Sequence, residues 1–269
     1  LGVCVTNRAP ISVLIPCYNS ADVIEDCLRS VAWAEEIFVC DSFSTDATLQ
    51  ICRRYTDRIV QHEYVNAATQ KNWAIPQIRH NWVFIVDTDE RVSPELRQEI
   101  ESRLGADCPY DGFQIPRLNH AFGRPLRHGG LYPDYQTRLF RRDRGRYQQR
   151  RVHAHVELQG PRGVLSSPIL HFGQRSVGQV TRTYLTRYAG WEAAQKAADG
   201  VRFRAGDLIV RPLGAFVVRY IGQRGFLDGM AGLFMALTIS AYVFLTYARL
   251  WQLQTAPRPA SDTAARPAG

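Results

Sequence analysis

Lysine is nearly absent from this 269-residue chain: Lys71 and Lys196 are the only two, so almost all of its positive charge sits on arginine. Arginine forks suit phosphates and carboxylates. Six cysteines (Cys4, Cys17, Cys27, Cys40, Cys52, Cys108) form no C-x-x-C pair and no metal-ligand spacing. That argues against a disulfide framework or a thiolate metal site, and predicts free thiols in a reducing cytosol. Leu1–Pro10 lacks a basic start followed by an apolar stretch, so no signal peptide is expected. The first strand runs into Pro16-Cys17-Tyr18-Asn19, which has no glycine, so the Gly-rich phosphate loop usual in a nucleotidyltransferase is missing. With 45% hydrophobic and 22% charged residues, the composition excludes a disordered or collagen-like chain.

Charge is divided unevenly. Residues 1–100 hold nine Lys+Arg and fourteen Asp+Glu, net −5, and the other 169 hold 24 and 11, net +13. A basic back half points to an anionic partner such as nucleic acid, anionic lipid or a phosphorylated saccharide.

Short apolar, β-branched runs at Ser12–Pro16, Ile37–Cys40, Arg58–Val60 and Trp82–Val86 start about 22–25 residues apart, room for a crossover helix each time. Helices are predicted over Ala21–Val31, Ala47–Tyr55 and Glu95–Leu104, the last capped by Ser93 with Pro94 at its first position. The predicted class is α/β, a doubly wound sheet with ligands at the carboxyl ends of its strands. Later strands are expected at Phe113–Leu118, Thr137–Arg141, Arg151–Leu158 and Ile169–Phe172, with a loop over 123–130 and a helix over Val177–Ala198. Arg138 to Arg151 contains seven arginines and one acid, Asp143, read as a solvated hairpin or an anion-binding surface. Gly229–Ala248 has no charged residue over 20 positions. It is read as an interfacial helix near Arg211, Arg219 and Arg224, a membrane span, or a buried helix. The expected division is 1–175 for the sheet and its ligand site, 176–254 for a helical, membrane-associated region, and a Pro/Ala tail over 255–269 that cannot build a core.

The sharpest motif is Val83-Phe84-Ile85-Val86-Asp87-Thr88-Asp89-Glu90, an apolar strand running into three carboxylates. In extended geometry Asp87 and Asp89 point the same way, and two acids that close want a cation. Oxygen ligands select Mg²⁺ or Mn²⁺, held by one or two carboxylates and substrate phosphates. Two other strand ends face the same crevice. Pro16, Tyr18 and Asn19 follow the first strand, where Tyr18 is placed to pack on a base and Asn19-Ser20 to cap a helix. Asp41 ends the second, placed to accept from a base N–H or a ribose hydroxyl. Gln70-Lys71-Asn72-Trp73-Ala74 opens a helix and offers Lys71 to a phosphate or an acid.

These residues resemble the family 2 glycosyltransferases with a GT-A fold, particularly the lipopolysaccharide-core glucosyltransferase-like branch. The matching segments are Ser12–Asn19, Val39–Asp46, Gln70–Ala74 and Asp87–Arg91, then His128–Gln136, Arg138–Arg142 and Arg224–Gly229. The resemblance implies a GT-A mixed sheet followed by C-terminal helices. It also implies inverting transfer of a sugar, a hexose such as glucose, from a UDP-linked donor to an acceptor hydroxyl. By matching position Asp41 would contact the uridine, Asp87 and Asp89 the ribose side and the metal-bound diphosphate, and His171 the metal. Implied partners are a lipopolysaccharide-core or other glycolipid acceptor and the inner face of the cytoplasmic membrane, with no nucleic acid. The match weakens at the base. The branch carries His-Glu within the segment read here as Val152-His153-Ala154-His155-Val156-Glu157, and position 154 is Ala. Glu157, which shares a strand face with His153 and His155, and Asp134 are the candidates. Ala154 keeps open a non-catalytic nucleotide-sugar binder, and within the enzyme class a polyprenyl-phosphate sugar transferase is a near neighbour.

Overall fold

Both faces of the central strands are apolar because helices cover both sides. β1 (Ile11–Cys17), β2 (Glu36–Asp41) and β4 (Trp82–Ile85) are buried almost throughout. The period-2 alternation of a strand sends Leu14, Phe38, Cys40, Val83 and Ile85 to one face, against Ala74, Ile75 and Ile78. Val13, Ile15, Val39 and Phe84 go to the other, against Ile24, Cys27, Leu28, Leu96 and Ile100. The computed structural model describes residues 8–105, 107–148, 155–174 and 176–255. Cys4, His153, Ala154 and the Pro/Ala tail beyond 255 lie outside the described residues.

The chain forms two compact units. The first, residues up to 125 and 131–173, holds the sheet. β3 (Ile59–Gln61) lies at one edge, followed by β2, β1 and β4, all parallel. Then come antiparallel β8 (Asp134–Arg141) and β6 (Gly112–Ala121), β12 (Ile169–Gln174) and β5 (Glu90–Val92). Winding runs outward from β1 to β3, and the chain then returns to β4 on the other side of β1. The winding reverses between β1 and β4, and the crevice at their carboxyl ends is where such sheets take ligands. β7 (Arg124–Pro125) and β11 (Arg162–Val164) pair with β6, and β9 (Gly145–Tyr147) with β10 (Val156–Leu158) in a separate two-stranded ribbon.

Helices α1 (Ile24–Ser30), α2 (Thr48–Cys52), α3 (Ala67–Ala74) and α4 (Pro94–Arg103) cover the sheet. α4 starts as expected, with the Ser93 hydroxyl accepting from the Leu96 amide at 3.2 Å. α1 begins three residues later than expected. Asn19 and Ser20 do not cap it with their side chains: the Ser20 carbonyl accepts the Val23 and Ile24 amides, and the Ser20 hydroxyl turns back to the Tyr18 carbonyl. α3 starts at Ala67 rather than Gln70 because Asn66 caps it, accepting from the Thr69 amide at 2.9 Å. β5, β9 and β11 are three residues each, too short to carry an apolar run of their own.

The second unit comprises 126–130 and the chain from Gln174 onward. The expected helix over 177–198 is α5 (Val177–Thr181), a π-helical stretch over Arg182–Tyr188, and α6 (Ala189–Ala198). α7 (Asp207–Val217), continued by a π-turn to Gly222, was not legible because Gly206, Pro212 and Gly214 read as breakers. α8 (Gly229–Thr255) is 27 residues and packs on α6 and α7. Ala231, Met235, Ile239, Tyr247 and Leu250 on α8 are buried, and the Ser240 hydroxyl donates to the Pro212 carbonyl at 2.8 Å. Two motifs of the resemblance meet here. The buried Asp228 carboxylate takes both the His128 amide, at 2.8 Å, and the His128 Nδ1, at 2.7 Å, while Arg219 donates to the Gly129 carbonyl at 2.8 Å.

Candidate active site

Asp87 and Asp89 do not continue the strand. The Glu90 amide donates to the Asp87 carbonyl and the Glu90 carboxylate accepts the Asp87 amide, each at 2.9 Å, which closes a turn. The two acids therefore face different partners, unlike the extended arrangement expected from spacing alone. Asp87 is gripped on both oxygens, by Lys71 Nζ at 2.9 Å and by an Arg138 guanidinium nitrogen at 2.7 Å. The same nitrogen reaches the fully buried Glu90 at 2.7 Å. Burial pushes the Asp87 carboxyl up, but Arg138 and Lys71 outweigh it and hold the acid well below the usual range. Glu90 moves the other way, raised chiefly by burial. Among the described residues, four buried polar atoms lack a hydrogen-bond partner, and two of these, Arg138 Nε and Tyr147 Oη, belong to this cluster. Lys71 lies 5.3 Å from the centre of the Tyr147 ring.

Asp89 turns to His171, with Oδ2 3.4 Å from Nε2. On the far side of the ring, Nδ1 lies 2.7 Å from Asn119 Oδ1, an atom that can only accept. Nδ1 therefore carries a proton, and Nε2 is the ring atom that faces Asp89: it donates to the carboxylate when protonated and can hold a cation when it is not. A carbonyl-type oxygen fixing the tautomer of a ligating histidine is the usual outer-shell arrangement at a metal. Burial pushes the Asp89 carboxyl up, yet the His171 contact holds it below its ordinary value. Gly173 keeps room beside the pair: a β-carbon there would sit 2.6 Å from His171 Nε2 and 2.9 Å from Asp89 Oδ2. Among the described residues no three His, Cys, Asp or Glu side chains converge on one point. A divalent ion here would take two protein ligands, Asp89 and His171. That fits a cation completed by phosphate oxygens rather than caged by protein.

The other strand ends converge on the same side of the sheet. Cys17 on β1 is in register with Asp41 on β2. Tyr18 is 59% exposed, an open aromatic face just beyond β1. Asn19 adopts a left-handed backbone (φ 43°) and ties down the loop after β2, its Oδ1 accepting the Thr45 amide at 2.8 Å. Asp41 is fully buried, and its carboxylate already accepts the Ser44 amide and the Gln61 amide nitrogen, each at 2.9 Å, and the Ser44 hydroxyl. It holds the 42–46 loop in shape.

Each residue of the Gln70-Lys71-Asn72-Trp73 run ties α3 to a different element. Gln70 donates to the Ser42 hydroxyl at 2.6 Å, Lys71 to Asp87, Asn72 bonds both backbone groups of Tyr147, and Trp73 stacks on His62 at 4.0 Å.

The candidate bases are placed differently. Asp134 heads β8 and shares a strand face with Gln136. Its oxygens are taken by Arg117, at 2.9 and 2.5 Å, and by Gln136, at 2.7 Å. Burial pushes its carboxyl up, and Arg117 and Gln136 more than reverse the shift. Glu157 is exposed on the β9–β10 ribbon and accepts from Gln148 at 2.7 Å.

Sequence reasoning missed Arg138, submerged in the run of seven arginines, and Asn119, which no motif singles out. Among the described residues of that run, Arg142, Arg144 and Arg146 are exposed, as a solvated hairpin expects, and Arg138 is buried. Arg141 lies over the Trp82 ring at 4.8 Å, and Arg142 donates to the Ile78 carbonyl at 2.6 Å. Period-2 spacing does not find Arg138, because the β6–β8 register shifts at that residue: Phe113 pairs with Leu139 and Gln114 with Thr137. The cysteines behave as expected: Cys17, Cys27, Cys40, Cys52 and Cys108 are free thiols, and burial raises Cys27 and pushes Cys40 up to about 11.

If the crevice holds a nucleotide, Asp41→Ala chiefly raises the donor KM by loosening the 42–46 loop. Steady-state kinetics check this, and a large kcat loss at unchanged KM would place Asp41 in the transfer step instead.

The family profile described as glycosyl transferase family 2 matches residues 12–162. A lipopolysaccharide core biosynthesis glycosyltransferase, LpsC of Rhizobium meliloti, is 29% identical over 253 residues, 91% of this chain and 93% of that protein. A putative teichuronic acid biosynthesis glycosyltransferase, TuaG of Bacillus subtilis, is 29% identical over 140 residues, 43% of this chain and 55% of that one. Among solved structures, a mannosyltransferase from Pyrobaculum calidifontis in complex with GDP-Man and Mn²⁺ superposes with a TM-score of 0.56. It is 16% identical, over 91% of this chain and 87% of that one, which establishes the shared GT-A fold.

Proposed function

The chain belongs to glycosyl transferase family 2 and is a glycosyltransferase, and from this we propose that it moves a hexosyl group from a UDP-sugar, with inversion, to a hydroxyl of a lipopolysaccharide-core or other glycolipid acceptor at the cytoplasmic face of a membrane. The observation that carries the reading is the Asp89–His171 pair, oriented by Asn119 and left open by Gly173 at the carboxyl end of the sheet. The acceptor class rests on the likeness to LpsC, which extends over nearly the whole of both proteins.

Mg²⁺ or Mn²⁺ held by Asp89 and His171 would offset the charge that grows on the leaving diphosphate. Mn²⁺ bound in the Pyrobaculum enzyme supports a divalent ion in this role. Lys71 and Arg138 fix Asp87 at the ribose side, and the unspent donors Arg138 Nε and Tyr147 Oη suit an anionic ligand. Tyr18 offers its open face to the base just past β1, of which Pro16 is the last residue but one, and Asn19 and Asp41 hold the loop that borders it. Asp134, at the head of the strand that carries Arg138, is our choice for the group that takes the acceptor proton. Acceptor binding must then loosen the Arg117 contact, because a carboxylate held so low is a weak base. Glu157 is the second choice.

Single-turnover incubation with labelled UDP-glucose and core glycolipid tests the reading, with GDP-mannose run in parallel. Label in the lipid fraction is expected from UDP-glucose. Bound but unconverted donor would favour a non-catalytic binder, and label on a polyprenyl phosphate would move the acceptor class.

A further inference from the structure

We propose that α7 and the turn after it form a docking face for an anionic lipid surface, which deepens the glycolipid-acceptor reading above and rests on it. Six large apolar residues of this segment stand in solvent: Ile209 (65% exposed), Val210 (70%), Leu213 (60%), Val217 (49%), Val218 (54%) and Ile221 (59%). At about 100° per residue they fall on one continuous side of the helix. Pro212, on the opposite side, is buried, and its carbonyl is taken by Ser240 of α8. Between residues 208 and 218 the only charge is Arg211, which is drawn back to Asp207 at 2.6 Å and lies 4.8 Å from the Tyr247 ring centre. Past the turn the apolar exposure continues to Met230, 78% exposed. Soluble proteins seldom leave so continuous an apolar patch unless it binds something.

The uncharged stretch of α8, read from the sequence as an interfacial helix, a membrane span or a buried helix, packs one side on α6 and α7. Residues 225–255 are long and apolar enough to cross a bilayer, but 39% of the most apolar window is buried. Its exposed large apolar residues Met230, Leu237, Phe244 and Trp251 are spaced seven apart, a narrow stripe that only Leu253 in the last turn leaves, rather than a helix bathed in lipid all round.

Charge selects the occupant. Residues 174–255 carry ten Lys+Arg against four Asp+Glu. Arg202 and Arg204 precede α7, Arg224 follows it, and all three are exposed. Two copies packed face to face would set these cations against each other, whereas an acidic bilayer attracts them while the apolar side enters the headgroup boundary.

The test is flotation of the full chain with phosphatidylglycerol/phosphatidylethanolamine vesicles, with phosphatidylcholine vesicles as the neutral control. No glycolipid is present, so the result concerns docking and not the acceptor. The wild type is expected to float with acidic vesicles and to be released by alkaline carbonate. Leu213→Glu combined with Val217→Glu is expected to lower vesicle partition at least about tenfold, with an unchanged UDP-induced thermal shift reporting the fold. Should that variant misfold, Arg202→Gln, Arg204→Gln and Arg224→Gln together are expected to weaken flotation at low salt. Wild type that ignores acidic vesicles overturns the proposal, as does a folded Glu variant that floats equally well. Carbonate-resistant protein overturns it in favour of a spanning helix, and a Glu variant that loses only a dimer on size exclusion overturns it in favour of a second copy. Docking without sugar transfer to added core glycolipid would leave this proposal standing and sink the acceptor reading.

Discussion

Asp89→Asn is expected to lower kcat about a thousand-fold while shifting the melting temperature little. Three decades correspond to about 4 kcal/mol of transition-state stabilisation, the scale of a divalent ion acting on a leaving diphosphate. The substitution keeps the size of the side chain and removes the charge that pairs with a cation. Asn119→Ala is the graded companion. It leaves Asp89 and His171 in place but frees the ring to adopt the wrong tautomer, and a loss of about 10–100-fold in metal affinity or activity is expected. Metal titrations at fixed donor separate the two, because only the second recovers as Mn²⁺ is raised. Full activity in Asp89→Asn would remove the ion from the mechanism.

Arg138→Met should produce the largest loss of stability of any single change in the crevice. The guanidinium is buried and serves two acids at once, Asp87 and Glu90, each at 2.7 Å. Breaking a buried pair by removing one partner costs about 3–5 kcal/mol, because the other charge is left without compensation. At about 2–4 °C per kcal/mol, the melting temperature falls by roughly 10 °C. The pH dependence follows from Glu90, already raised by burial with Arg138 opposing the rise. Without Arg138 its pKa climbs further, so the folded state holds a proton that the unfolded state has released. Stability of the variant therefore falls as pH rises, and its deficit against wild type is larger at pH 8 than at pH 5. Adding Glu90→Gln removes the stranded charge and recovers part of the loss. Denaturation at both pH values measures this, and a pH-independent deficit would mean that Arg138 acts by packing alone.

The strand ends were legible because a buried parallel strand announces itself. Val83–Val86 running into Asp87 can only be the carboxyl end of a core strand, and likewise for Ile15-Pro16 and Val39-Cys40-Asp41. What the two aspartates do was not legible, since a turn closed by the side chain of Glu90 separates them. The pairing of Lys71 with Asp87 and of His171 with Asn119 depends on elements far apart in sequence, which local pattern does not report. Arg138 was hidden because burial of a cation follows from its partners rather than from its neighbours in the chain. In the second unit the apolar count of α8 overshadowed α7, although the more exposed surface belongs to the helix with proline inside it.

The central claim, a nucleotide diphosphate held through a metal at Asp89 and His171, is tested most directly by calorimetric titration of UDP into the protein with Mn²⁺ and then with EDTA. Wild type is predicted to bind UDP only when Mn²⁺ is present, and Asp89→Asn to show no such dependence and little binding. UDP affinity that is the same in EDTA as in Mn²⁺, or unchanged by Asp89→Asn, would contradict the account.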